Sequence, residues 1–194
     1  GIPLSHIRIV GAYQFDEWFD FSCSQSRESF CVTHGLDAGK PFVLYLGLSA
    51  READKRLPGG YASIVADIRR AFANATDSRV SSIQLVVRPH PNQSSAPVFT
   101  ETDSRAIISI PQKGVQMLTD ADRQLFYDSV FFSACVIAVN TTALIDAAII
   151  GKPGIVLNFE KYSGIQSASY FTRFMDFGSV AVARTPRDLT KELA

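Results

Sequence analysis

From residue 41 onwards, short apolar runs alternate with segments of helical spacing, and that alternation leaves few folds open. PFVLYLGLS (41–49) and SIQLVVRPHP (82–91) are rich in Val, Leu and Ile and nearly continuous in apolar character. So are AIISIP (106–111), CVIAVN (135–140), GIVLNF (154–159) and SVAVAR (179–184). Runs of four to eight such residues read as strands buried on both faces. Between the first two, Tyr61, Ile64, Val65, Ile68, Ala71, Phe72 and Ala75 recur at the spacing of a one-sided apolar helix. Strands separated by helices need crossover connections, and these make the sheet parallel. The expectation is an α/β, Rossmann-like doubly wound parallel sheet of about six strands with helices on both faces.

Local signals punctuate the pattern. Pro89 stops the second strand because proline has no ladder donor. Thr119, with Asp122 three residues on, forms a variant capping box ahead of TDADRQLFYDSVFFSA. TTALIDAAII is a short helix that stops at Gly151, with Pro153 just beyond. SASYFTRFMDFG (167–178) also has helical character. The first forty residues are mixed: HIRIVGAY (6–13) has strand character, and the rest reads as a connecting segment with one short helix. There is no internal repeat or low-complexity tract.

Charge and composition exclude some functions. Nineteen basic residues balance 19 acidic ones, and no basic cluster is interleaved with aromatics, so no nucleic acid partner is expected. Cys23, Cys31 and Cys135 lack metal-ligand spacing and read as reduced thiols, which fits a cytoplasmic compartment. No run is long and apolar enough to span a bilayer. The chain begins with Gly1 and is expected to be a piece of a longer protein.

Open parallel sheets bind ligands beyond the carboxyl ends of their strands, at a topological switch point. Three stretches qualify: Gly47 to Ser49, Arg88 to Pro91, and Asn140 to Thr142. Asn140, Thr141 and Thr142 combine an amide and two hydroxyls with the unpaired N–H groups of a helix start, an anion-binding combination. One of them is equally able simply to cap the helix. His90 is flanked by prolines that restrict the backbone on either side. It is either a solvated loop histidine or a donor aimed at the same anion. Arg88 is either a second cation there or a solvated strand end. Gly47 and Ser49 offer a close backbone approach or a plain turn. Asp146, one helical turn on, is either an acceptor for ribose hydroxyls or a satisfied polar residue. LPGG (57–60) is not followed by G-K-[ST], and no G-x-G-x-x-G occurs, which excludes a P-loop or a standard dinucleotide site.

RPHP after a strand, followed by FYDSVFFSACVIAVNTTALIDAAIIGKPGIVL, resembles the C-terminal, donor-binding half of GT-B glycosyltransferases. The similarity is to the CDP-glycerol glycerophosphotransferase, capsule polysaccharide transferase and bacterial sialyltransferase group. IRIVGAYQFDEWF, with Gly11 and Asp16, is similar to the crossover from the N-terminal domain in such enzymes. The resemblance implies a crossover segment over 1–40, a nucleotide-sugar (donor) binding domain over 41–194, and a catalytic N-terminal domain outside this chain. It implies that His90, Thr141 and Thr142 contact the donor phosphate, and that SIPQKG (109–114), with Ser109 and Pro111, flanks the base. Neither a metal nor a cofactor is implied, in keeping with the lack of a D-x-D motif; charge on the leaving group would be stabilised by side chains and backbone.

The implied function is the donor half of a glycosyl- or polyol-phosphate transferase of surface polysaccharide biosynthesis. Its partners would be a nucleotide-activated donor and, through the missing domain, a glycan or lipid-linked acceptor. It would lie in the cytoplasm or at the inner face of a membrane, and the fragment alone would be inactive. Two alternatives remain at this level: a sugar-nucleotide 2-epimerase-like domain, for which only His6, His34 and His90 are available, and a non-catalytic nucleotide-sugar binding module.

Overall fold

A computed structural model describes residues 3–8, 10–49, 55, 57, 59–90, 119–165, 169–176 and 178–194. Its centre is a five-stranded, wholly parallel sheet in the order β2-β1-β3-β4-β5. The strands are β1 (Phe42–Leu46), β2 (Gln84–Arg88), β3 (Cys135–Ala138), β4 (Gly154–Leu157) and β5 (Ala181–Ala183). The sheet expected from the sequence is present, with five of its six strands among the described residues. The sixth, at 106–111, lies outside them, as do Ser109, Pro111 and the rest of 109–114.

The helices are α1 (Arg27–Thr33), α2 (Gly60–Ala73), α3 (Ser78–Ser81), α4 (Asp120–Phe132), α5 (Ala143–Ile149), α6 (Ser169–Asp176) and α7 (Pro186–Leu193). Successive strand residues point to opposite faces, and the core divides accordingly. Val43, Tyr45, Leu85, Val87, Ile137 and Leu157 pack against α2 and α7 through Ile64, Ile68, Phe72 and Leu189. Phe42, Leu44, Leu46, Val86, Val136 and Val156 pack against the other layer through Phe30, Val130, Leu144 and Phe171. Both faces are covered, which is why the strands read as unbroken apolar runs rather than alternating ones.

The helix signals act as the sequence implies. Thr119 accepts from the Asp122 N–H while Asp122 accepts from the Thr119 N–H, a complete capping box on α4. After α5, Gly151 takes φ +84°, and the N–H groups of Gly151 and Lys152 donate to the carbonyls of Ala148 and Ala147. This is a Schellman closure, which needs a left-handed residue at that position.

The first forty residues differ from their expected form. The described residues of 6–13 form no strand: Leu4–His6 is a 3-10 turn, and the chain then runs into a second 3-10 stretch at Tyr13–Phe19. Among the described residues this stretch pairs with no strand of the sheet, so its Val and Ile content is not expressed as a ladder. Instead the segment docks through side chains. Trp18 is buried against Phe21 and Phe126. Asp128, buried on α4, accepts from the Ser24 N–H and hydroxyl and from the Gln124 amide. Phe30 of α1 stacks on Phe42.

Candidate functional site

The strand order reverses at β1: the chain goes from β1 outward to β2, then returns to β3 on the other side. That is the switch point at which such sheets bind ligands. Register fixes what meets there. Leu46 is level with Arg88 on one side and with Ala138 on the other. The residues just beyond, Gly47, His90 and Thr141, therefore emerge at one end of the sheet.

They line a cavity of about 190 Å³ together with Arg88, Thr142 and Asp146. A second cavity of about 320 Å³ is lined by Leu48, Ser49, His90, Asn140, Thr141, Thr142 and Ile165. The two share His90, Thr141 and Thr142 among their lining residues. Residues 51 positions apart in the chain are brought to one place by the sheet register alone.

Arg88 is the electrostatic centre. It is only 4% exposed. Nη2 donates to the Asp122 carbonyl at 3.2 Å, and the guanidinium lies over the Phe126 ring at 5.3 Å. Nη1 is buried with no hydrogen-bond partner among the described residues. Burial brings its pKa down to about 10, which still leaves it charged at neutral pH. A solvated strand-end arginine is thereby ruled out. A buried cation with an unused donor costs free energy unless an anion completes it.

His90 is half-buried, and burial lowers its pKa, so the imidazole is biased towards neutral. The formal charge for an anion thus comes from Arg88, beside His90 in the cavity lining. Thr142 is exposed and its side chain makes no capping hydrogen bond, which leaves the hydroxyl available to a ligand. Thr141 is partly committed: its Oγ1 accepts from the Ala143 N–H at 3.3 Å. Asn140 is turned to the Ile165 carbonyl, so its amide fastens the Glu160–Ile165 3-10 segment behind the second cavity.

Gly47 has a structural reason that the sequence does not show. A Cβ there would lie 2.5 Å from Tyr61 Cε2 and 3.1 Å from the His90 N. The close approach is to the α2 aromatic and to the histidine's own backbone. Gly47→Ala is expected to destabilise the fold by about 1–3 kcal/mol, as overpacking does. It should also weaken ligand binding by displacing His90; thermal unfolding and calorimetry on the same variant measure both.

Sequence reasoning misses two residues at the site. Trp18 and Phe126 form the aromatic wall of the smaller cavity, ring centroids 5.3 Å apart. The Trp18 Nε1–H donates to Asp146 Oδ1 at 2.7 Å. Asp146 is thus held by this chain's own indole. Burial pushes its pKa up to about 6; the Trp18 hydrogen bond opposes that rise, and the nearby Glu17 charge adds to it. The one signal in the sequence is that Trp18 is the single tryptophan of the chain, in a segment too irregular for a strand or a long helix. His6 and His34 line neither cavity; His34 packs on Phe30.

This architecture is similar to that of the wall teichoic acid polymerase TagF, with a TM-score of 0.59 and 14% identity over 99% of this chain and 44% of that one. The fold is GT-B-like. Histidine-variant structures of the same polymerase agree: one has a TM-score of 0.54 at 14% identity, covering 86% of this chain and 37% of that one. Another, soaked with CDPG, has a TM-score of 0.53 at 15% identity, covering 86% of this chain and 35% of that one. At such identities the likeness establishes the fold alone. The chain spans less than half the length of these GT-B-like structures. No family model matches it, and no curated protein is found to be similar. Among the described residues, no helix is long and apolar enough to cross a membrane.

Proposed function

We propose that residues 41–194 are the donor-binding domain of a polyol-phosphate or glycosyl transferase, with residues 1–40 as the crossover from a further domain. One observation carries the reading: Arg88, with a buried and unpartnered Nη1, shares a cavity with His90, Thr141 and Thr142 at the switch point of the sheet. An anion held there would receive a guanidinium, an imidazole N–H, a threonine hydroxyl and the start of α5. The phosphate of a nucleotide-activated donor fits this set. The GT-B-like fold and the CDPG soaked into a similar structure favour a CDP-linked polyol among such donors.

In the transfer itself, these groups would stabilise the charge that develops on the leaving nucleotide phosphate. Arg88 supplies fixed charge in a site of low polarity, and His90 gives a directed hydrogen bond. Attack by an acceptor hydroxyl needs a general base, which the crossover reading assigns to the further domain. This chain alone is therefore expected to bind donor without turnover. The acceptor, a surface polymer or lipid-linked glycan at the inner face of a membrane, belongs to the same reading.

Calorimetry with CDP-glycerol, CMP, CDP, UDP and GDP tests it. One nucleotide series should bind in preference to the others, and His90→Ala should weaken that binding by roughly tenfold, the loss of one hydrogen bond to a charged group. If no nucleotide binds, or if His90→Ala binds as wild type does, the donor-site reading fails.

A further inference from the structure

Helix α2 buries Tyr61, Ile64, Val65, Ile68, Ala71 and Phe72, and with them one carboxylate, Asp67. A buried carboxylate is costly unless it is paired and hydrogen-bonded. Its Oδ2 accepts from the Tyr162 hydroxyl and pairs with Lys161 Nζ, and Oδ1 meets Arg70 Nη1 at 3.4 Å. Lys161 and Tyr162 are consecutive residues of the Glu160–Ile165 3-10 segment that follows β4. Tyr162 is wholly buried and stacks on Phe159, ring centroids 5.4 Å apart. Burial, and after it the Asp67 hydrogen bond, raise its pKa, so it remains a donor. The segment ends at Ile165, whose carbonyl accepts from the Asn140 amide, and Ile165 and Asn140 both line the larger cavity. It is thus held at two points, by α2 through Asp67 and by the stretch after β3 through Asn140.

Resting on the donor-site reading, we propose that Asp67 is a positioning residue for the larger cavity: it clamps Lys161 and Tyr162, and so fixes Ile165 and, through Asn140, the stretch that carries Thr141 and Thr142. Asp67 itself lines neither cavity at the switch point, so it acts through the segment and not on a ligand. Packing alone gives this segment little hold. Glu160, Lys161, Ser163 and Gly164 are exposed, which leaves Tyr162 and Ile165 as its buried side chains. The hydrogen bonds of a 3-10 stretch are themselves poorly aligned. The Lys161 side chain is 50% exposed, so its ion pair is screened and weak. The bond from the buried Tyr162 hydroxyl to a carboxylate is charge-assisted and directional, and it is the tie that sets the position. An apolar residue at 67 would suit the helix face, but it would leave that hydroxyl buried without its acceptor. Because both ties hold one short segment, loss of either releases the same wall.

Hydrogen exchange on the ligand-free chain reads the segment directly. Tyr162→Phe keeps the ring on Phe159 and removes the hydroxyl; it should speed exchange at the amides of residues 160–165 by about tenfold and leave those of β1 and β3 unchanged. Calorimetry with CDP, UDP and GDP reads the consequence at the cavity. For the diphosphate that the wild-type chain binds, Asp67→Ala and Tyr162→Phe should each weaken binding by about tenfold. Asp67→Asn retains an acceptor for the Tyr162 hydroxyl and should stay within about threefold of wild type. Tyr162→Phe and Asp67→Asn carry the test if the alanine variant does not fold. Asn140→Ala should also weaken binding, and Tyr162→Phe combined with it should be at most about threefold worse than the poorer single variant, whereas independent contributions multiply. The proposal is overturned if Tyr162→Phe binds as wild type does, if the combined losses multiply, if Asp67→Asn loses as much as Tyr162→Phe, or if exchange rises equally in the strands. Those results leave the donor-site reading standing. Failure of the wild-type chain to bind any of the three diphosphates is a different result: it removes the donor-site reading, and this proposal with it.

Discussion

Arg88→Met is expected to make the protein more stable and a poorer ligand binder at once. Arg88 is almost wholly buried, is depressed to a pKa of about 10 by that burial, and leaves Nη1 without a partner. A depressed pKa in a base means that the folded state disfavours the charged form, and at neutral pH that cost is fully present. Methionine keeps an unbranched apolar stem against Phe126 and removes the charge. Replacing buried charge by apolar volume commonly stabilises, and a gain of about 1–2 kcal/mol is expected, read by denaturant or thermal unfolding. Binding of a phosphate ligand should fall by roughly 10- to 150-fold, the equivalent of the 1.5–3 kcal/mol of a charge-assisted hydrogen bond. A variant that loses stability yet binds normally would show that Arg88 is a structural arginine and that the anion site lies elsewhere.

The second large effect concerns Asp146. Burial raises its pKa from 3.8 to about 6. A raised carboxyl pKa means that the folded state prefers the protonated form. Stability is therefore highest below the unfolded value, near pH 4, and declines as pH rises through about 6. At 1.36 kcal/mol per pKa unit, the shift corresponds to about 3 kcal/mol lost across that window. Asp146→Asn retains an oxygen for the Trp18 N–H and carries no charge. It should flatten the stability profile between pH 4 and pH 7 and leave the variant about 2–3 kcal/mol more stable than wild type at pH 7. Unfolding midpoints measured at several pH values decide it; parallel profiles for the two proteins would mean that Asp146 is solvated and not the group that titrates.

Both predictions turn on residues whose positions the sequence indicates and whose environments it does not. Arg88 ends a strand, and strand ends are as often wet as buried; only Phe126 and the Asp122 carbonyl on α4, packed over it, make it a desolvated cation. The sequence offers Asp146 as an acceptor for ribose, and the structure gives one of its oxygens to an indole from another part of the chain. Asn140 belongs to a polar triplet in which each residue is an equal candidate for a ligand; the Ile165 carbonyl takes its amide. In each case the deciding contact is between segments remote in sequence, and no local periodicity encodes it. The strand reading of 6–13 fails for a related reason. Strand propensity expresses itself only where a partner edge is offered, and this stretch meets none among the described residues.

Several features are legible from local chemistry alone. Unbroken apolar runs between helical segments specify a parallel sheet covered on both faces, because solvent on either face would demand alternation. Thr119 with Asp122, and Gly151 before Pro153, mark helix ends because the orphan N–H and C=O groups there must be satisfied within a few residues. The same sheet topology sends Gly47, His90 and Thr141 to one end, since ligands collect where parallel strands finish and the order reverses. The sequence by itself thus determined the layers, the helix ends and which end of the sheet carries the candidate site. The tertiary structure alone decided which side chains there are paired, which are desolvated and how deep the cavity runs. Those depend on packing between segments up to 128 residues apart, and burial and pairing are properties of the packed neighbourhood rather than of any one residue type.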